Sequence, residues 1–561
     1  MTPQDLAKHI KAAVLSAISS GQLALDLTEV PSQIVVDRPK NPEHGDWSTN
    51  IAMQLGGKAN SNPRAVAEIL SPLLLQIDGV TKVDIAGPGF LNIQLSSASQ
   101  GELAVTVLAQ REKFGQGELF AGRKINIEFI SANPTGPLHL GHTRWAAVGD
   151  AIARVLRAQG AEVVREFYIN DRGVQMDKFG ASVQARALGN PVPEDGYHGA
   201  YIDDLAKQIL QEQPEILKLN GDEQLVAFRE AAYKLQLAQQ QSVLAGFNTN
   251  FNVWYSERSL HESDAVSRGF DQLRSQGHVF EHDGATWLRT TDFDDDKDRV
   301  LIKADGELTY FASDTAYYVD KRNRGFDLCI YLLGADHHGY VNRLRAVAAC
   351  AGDNPDLNIE VLIGQMVKMM KDGEEVRLSK RAGNIITLED LVEEVGVDAA
   401  RYSLIRYPVD SPLTLDLDLL IQRTNDNPVY YVQYAHARIA SVLRNAAELG
   451  IIGADPSLWN SADFDPSLLT HEREGQLLGL LADYPRVVTS AGELREPHRI
   501  ARHLEEVATG YHRFYDACRV LPQGDEPATE LTIARLWLCA AARQVIANGL
   551  DLLGVSAPQR M

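Results

Sequence analysis

Two histidines separated by two residues, His139 and His142, stand at the head of what reads as a long helix, with Gly141 between them. At i, i+3 spacing both imidazoles can leave the same helix face and donate hydrogen bonds to phosphate oxygens. The backbone there suits the same chemistry, because the first turn of a helix carries unpaired N–H groups and the positive end of the dipole. Gly141 removes the side chain that would keep a flat base off the backbone. An HxxH alone is weak evidence, and its context gives it weight. Residues 124–157, KINIEFISANPTGPLHLGHTRWAAVGDAIARVLR, read as a strand in which Ile125, Ile127 and Phe129 alternate with Asn126, Glu128 and Ile130. Pro134, Gly136 and Pro137 then break regular structure, and a helix pattern follows with Leu140, Ala147, Ile152, Val155 and Leu156. A nucleotide lies beyond the carboxyl end of a parallel strand, against the next helix, which is where this unit puts the histidines.

The rest of the chain must position that unit. At 561 residues it exceeds what one core supports, so three or four domains are expected. The N-terminus reads as an amphipathic helix rather than a signal peptide, and no segment reads as a membrane span, which points to a cytoplasmic protein. Cys329, Cys350, Cys518 and Cys539 are too dispersed for a zinc knuckle or a disulfide framework and read as reduced core residues. The net charge of −21 speaks against nonspecific nucleic-acid binding, which positive charge drives.

In order, residues 1–118 read as an α/β accessory domain, and 119–425 as an α/β, Rossmann-like catalytic domain built on a parallel sheet. A second strand-loop-helix unit, AEVVREFYINDRGVQM, follows the first. A polar helical insertion is expected over about 175–265, after which the sheet resumes at TWLRTT and RVLIKADGELTYF. The apolar run Leu328 to Leu333 ends in Gly334-Ala335-Asp336-His337-His338, where a nucleotide-site reading competes with a metal site. IEVLIGQMVKM reads as one further strand, opening a region over about 361–425. The loop from Gly373 to Gly383, rich in Lys and Arg, suits a segment that closes over phosphates. Residues 426–561 read as an all-α bundle with twelve Arg, no Lys and a net charge of −4 from Pro428 onward. Arg without Lys fits stacking and bidentate contacts to an unpaired loop of RNA.

SANPTGPLHLGH resembles the HIGH signature of class I aminoacyl-tRNA synthetases, in the form carried by arginyl-tRNA synthetases. Arg377-Leu378-Ser379-Lys380 stands where that family has KMSK, with Arg377 for the first lysine. Many arginyl enzymes lose the last lysine and carry one three residues before the first histidine instead; here that position is Gly136, and Lys380 is present. His44-Gly45-Asp46-Trp47, NPVYYVQYAHAR and the C-terminus extend the resemblance over the chain. It implies ATP and Mg²⁺ as cofactors, L-arginine and tRNA(Arg) as partners, a monomer, no resident metal, an N-terminal domain on the outer corner of the tRNA and a C-terminal anticodon-binding bundle. His139, His142 and Lys380 are the expected catalytic residues. Pro137, Gly141, Asp336, His338, Gln365, Arg377 and Ser379 join them around ATP. Glu128 and Asp314 are the expected carboxylates for the guanidinium, with Ser131, Asn133 and Tyr310 matching further arginine positions. Tyr431, Tyr434, Arg438, Arg499 and Arg502 are expected on the tRNA. An acidic remainder is compatible with one docked RNA, since local positive patches suffice. A synthetase for cysteine or glutamate is a competing reading, and so is a tRNA-binding relative without catalysis. Zinc ligands would favour cysteine and lost signature residues the relative; neither is seen.

Overall fold

The computed structural model describes residues 1–39, 41–376 and 386–561. At its centre lie five strands, β1 (Lys124–Glu128), β2 (Glu162–Ile169), β3 (Val253–Ser256), β4 (Leu328–Gly334) and β5 (Ile359–Gly364). They are ordered β5-β4-β1-β2-β3, and every neighbouring pair is parallel. The chain thus winds outward from β1 to β3, then returns to the other side of β1. That reversal opens a crevice between the carboxyl ends of β1 and β4, where doubly wound sheets bind ligands. Helices cover both faces, so β1 is buried throughout its apolar length, with Ile125 and Ile127 at 0 % exposure.

Three expectations are corrected here. Between β2 and β3 the insertion consists of helices Val174–Ala187, Ala200–Glu212 and Gly221–Gly246, and it ends well before residue 265. VWYS is a short, half-exposed edge strand in register with β2, too short to show a pattern of its own. TWLRTT and RVLIK do not resume the central sheet. Val279–His282, Ala285–Leu288 and Arg299–Ile302 form a separate antiparallel sheet, turned at Asp283-Gly284, both with positive φ, a pairing suited to a two-residue hairpin. IEVLIGQMVKM is two strands, because after Gly364 the chain leaves β5 and Val367–Lys371 pairs with Leu413–Asp416 instead.

Before the sheet, helix Pro3–Ser19 and a three-stranded antiparallel sheet make an α/β unit, and Ser97–Gln110 leads on into the catalytic part. After it, helices Pro428–Glu448, Glu472–Leu494, His498–Ala517 and Glu530–Leu552 form the expected bundle. The four cysteines are buried and unpaired. Among the described residues no helix is long and apolar enough to cross a membrane.

Candidate active site

His139 is the N-cap of the helix Leu140–Ala158 and forms a reciprocal cap with His142. His139 Nδ1 accepts from Gly141 N at 3.1 Å, and His142 Nδ1 accepts from His139 N at 3.2 Å. The ring centroids lie 4.0 Å apart. Because each Nδ1 accepts, each neutral ring carries its proton on Nε2, which becomes its donor atom. The expectation of open backbone N–H groups is not met. Gly141 N is used by His139, His142 N donates to His139 O, and Leu140 N donates to Ile386 O, so these three positions offer an anion no open backbone donor. Gly141 serves that arrangement directly: a Cβ there would stand 3.0 Å from the His139 ring. Leu388 N also donates to Leu138 O at 2.8 Å, so the backbone just beyond the RLSK segment is paired with the histidine segment. Arg377, Ser379 and Lys380 themselves lie outside the described residues.

Past β1 the backbone is strained, with Ile130 at φ 70° and Ser131 at φ 46°, conformations that a β-branched residue rarely adopts. The result is a Ser131 hydroxyl that donates to Glu128 Oε1 at 2.9 Å and accepts from Tyr168 N at 3.2 Å. Glu128 Oε2 accepts from the buried Lys321 ammonium at 2.6 Å, and that ammonium sits over the rings of Tyr317 and Tyr331. Glu128 therefore has its own counter-ion. Asp314 does not. It accepts one long hydrogen bond, 3.4 Å, from Tyr340, and its pKa is pushed up to about 7 by burial first, then by Glu128 and Glu257. Glu166 offers the contrast. Fully buried but paired with Arg324, Tyr317 and Asn126, it is held below the usual carboxylate range against the cost of burial. Tyr168 feels Glu257, Asp314 and Glu128 together, after burial itself, and its phenol is pushed far up. Three carboxylates thus converge around one ion-paired ammonium, with Arg343 and Arg172 opposing, without reversing, the rise at Asp314 and Glu257.

Glu257, 6 % exposed, was not found from sequence; burial raises its pKa and the neighbouring Arg172 opposes that. It opens the helix Glu257–Glu262 at the carboxyl end of β3, so reading VWYS as a strand would have drawn attention to it. His261, on the same helix, contacts Ser313 Oγ at 2.9 Å, and a cavity of about 230 Å³ lined by Arg172, Arg258 and His261 opens beside it.

The other ATP candidates divide. Asp336 and His338 are exposed in the turn after β4, across the crevice from the histidines. Among the described residues no group of three or more His, Cys, Asp or Glu could hold a metal, so the metal reading of that turn gains no support. Gln365 is held where β5 ends: its N–H donates to Val409 O and its carbonyl accepts from the buried Arg144 of the histidine helix. Pro137 is half-buried in the loop before His139. Among the arginine candidates Tyr310 is 82 % exposed at a helix start, and Asn133 is exposed.

Three family models match successive parts of the chain: the arginyl tRNA synthetase N-terminal domain over 4–95, the class I (R) tRNA synthetase catalytic domain over 104–406, and the DALR anticodon binding domain over 432–561. Proteins named arginine–tRNA ligase from Kineococcus radiotolerans and Paenarthrobacter aurescens are 55 % and 56 % identical over all 561 residues and over their own full length. The chain belongs to the arginyl-tRNA synthetase family. A Campylobacter jejuni structure assigned as an arginyl-tRNA synthetase matches with TM-score 0.74 and 32 % identity, over 83 % of this chain and all of its own. The Thermus thermophilus arginyl-tRNA synthetase, 22 % identical over both full chains with TM-score 0.74, shares the fold.

Within the domain matching the family's anticodon-binding model, the expected tRNA residues form two groups. Tyr434 stacks on Tyr430 and on His512, Tyr431 also meets His512, and Arg438 lies over Tyr515. All are half-exposed, the condition for a stacking platform. Tyr431 Oη also contacts Thr509, which lines a cleft of about 550 Å³ with Arg406, Arg502, Arg513, Glu505 and Glu506, Arg406 being paired with Glu505. Arg502 thus belongs to that cleft, whereas Arg499 is exposed and paired with Glu496.

Proposed function

We propose that this arginyl-tRNA synthetase family member activates L-arginine with ATP, giving arginyl-adenylate and pyrophosphate, and then esterifies the 2′-hydroxyl of the terminal adenosine of tRNA(Arg). We place that activity in the cytoplasm, on a monomer. The observation that carries the reading is Asp314, a carboxylate raised to about 7 among two others, beyond the sheet end that also leads into the histidine pair. Such a site gains most from a ligand cation. A guanidinium offers planar, paired donors to Asp314 and Glu257, which a lysine ammonium cannot reproduce. Glu128, already paired with Lys321, deepens the negative potential and orients Ser131. Tyr310, exposed at the start of Asp314's helix, is available to close over the side chain, and Asn133 lies in the same loop.

No protein nucleophile is needed. Arginine's carboxylate attacks the α-phosphorus, the bond to the bridging oxygen breaks, and pyrophosphate leaves with that electron pair. His139 and His142 donate from Nε2 to phosphate oxygens, and Lys380, with Arg377 and Ser379, supplies charge to the group that departs. The pairing of Leu138–Leu140 with Ile386–Leu388 supports that pairing of roles, because it ties the histidine segment to the backbone that follows RLSK. Pro137, Gly141, Asp336, His338 and Gln365 line the nucleotide. Mg²⁺ would enter as a companion of the nucleotide's phosphates. The 2′-oxygen of the tRNA then attacks the adenylate carbonyl and AMP leaves. The aromatic platform of Tyr431 and Tyr434 and the arginine cleft take the unpaired anticodon loop, and the N-terminal domain takes the outer corner.

Charging of a tRNA(Arg) transcript with arginine, lysine and citrulline tests this reading. Arginine alone should be esterified; citrulline, equal in shape but neutral, should fail because it leaves the carboxylates unpaired. Comparable charging with citrulline or lysine would discard the pocket.

A further inference from the structure

The loop 131–138 leading to His139 contains Pro134 and Pro137, which have no N–H to donate, so it makes few hydrogen bonds to itself. Three of its carbonyls, those of Asn133, Thr135 and Gly136, are answered from the helical insertion instead. Gln240, 1 % exposed on helix Gly221–Gly246, donates from Nε2 to Asn133 O at 3.1 Å and to Gly136 O at 2.8 Å. Tyr201 of the neighbouring insertion helix donates to Thr135 O at 3.0 Å. Next to Gln240, Gln239 donates to Glu389 Oε2 at 2.9 Å, on the helix that begins where the backbone beyond RLSK pairs with the histidine segment. Gln236 in turn donates to Gln239. One helix therefore holds, by side-chain amides, both the loop before the histidines and the helix that follows the RLSK segment.

We infer that Gln240 is a positioning residue for adenylate formation: through the carbonyls of Asn133 and Gly136 it fixes the loop that carries Ser131 and Pro137 and sets the entry angle of His139. It touches no reacting atom. This rests on the function proposed above, because that loop is taken to border both arginine and ATP. A misplacement of about 1 Å at a reacting centre can cost on the order of 10² in rate, so the effect belongs in kcat. Gln240→Met keeps the length and volume and removes both donors.

The test is arginine-dependent pyrophosphate exchange with tRNA present, on the full chain. The wild type reports on the functional reading by itself, so its failure and the failure of this inference are separable. Q240M should lower kcat by about 10- to 100-fold, with KM for ATP and for arginine within about threefold. Q240E should be slower still near pH 8, where a carboxylate faces two carbonyls, and should recover relative to wild type as the pH falls and the acid regains a donor. A role confined to stability predicts a lower melting temperature with kcat retained, and that result overturns the inference. Should Q240M not fold, Tyr201→Phe, which removes only the donor to Thr135 O, takes its place: a fall in kcat of about three- to tenfold supports the inference, and a rate within a factor of two of wild type overturns it.

Discussion

Asp314 carries the chemistry of recognition, and its ionisation gives it a pH signature. Its folded pKa of about 7 stands above the ordinary 3.8. Between those values the folded protein holds a proton that the unfolded chain has lost, so this residue's contribution to stability is largest at low pH and is lost as the pH rises through about 7. Arginine must find Asp314 ionised, so its apparent affinity should fall by up to about tenfold per pH unit below 7. Calorimetric titration checks this, with proton release on binding near pH 6.5. Asp314→Asn should abolish that slope and weaken arginine by roughly 2 to 5 kcal/mol, the scale of one partner lost from a buried charge pair. Glu257→Gln should act in the same direction, and Glu128→Gln less on the guanidinium, since Lys321 already answers Glu128. An affinity for arginine that is flat between pH 6 and 8 would contradict the assignment of Asp314. Lys380 is a different kind of residue. If its charge meets the departing phosphates, Lys380→Ala should lower kcat of activation by about 10² to 10³ with little change in the ATP KM. Arg377→Lys should do little, and a near-wild-type rate for Lys380→Ala would remove this loop from the mechanism. The histidine pair stood out by its residue types and spacing, whereas Asp314 was named only through the family resemblance. The difference between Glu128 and Asp314 was not legible, because the deciding residue, Lys321, lies 193 positions away in sequence.

At the scale of elements, strand followed by Pro/Gly loop and helix is readable from β1 because apolar alternation and turn residues act locally. The strands β3 and Val367–Lys371 were misjudged because short segments take their partner from tertiary contacts rather than from their own pattern. The pairing of Ile386–Leu388 with Leu138–Leu140 was invisible for the same reason. Thr387 caps helix Leu388–Val395 through a reciprocal contact with Asp390 and forms the bridge to His139. Thr387→Ala should cost about 1 kcal/mol of local cap stability. Because that cap is joined to the histidine segment, kcat for activation should drop several-fold while arginine affinity stays within a factor of two. Single-turnover adenylate formation beside arginine titration separates the two effects.

Across the whole molecule, the histidine helix is tied to the far end of the chain. Asp150, fully buried, receives Arg154, Arg165 and Arg401. Arg401, also fully buried, donates onward to Leu553 O and Phe247 O, so the helix, the insertion and the C-terminal tail meet at one guanidinium. Gly554 is required there, with φ at 68° and no room for a Cβ against Arg401. The tail continues against the bundle through Ser556 and Pro558, held by Gln433 and His436. Arg401→Met should therefore lower the melting temperature by several degrees and expose the tail to protease, since losing one member of a buried charge network costs about 3 to 5 kcal/mol. The domain order was legible from composition and motif. This junction was not, because it is built from residues hundreds of positions apart. The central claim, that these parts together activate arginine, is tested most directly by pyrophosphate exchange with each of the twenty amino acids, with and without tRNA(Arg). Exchange should appear with arginine alone, and the family resemblance predicts that it stays negligible until tRNA is added. Exchange driven by another amino acid, or none with arginine when tRNA is present, would contradict the account.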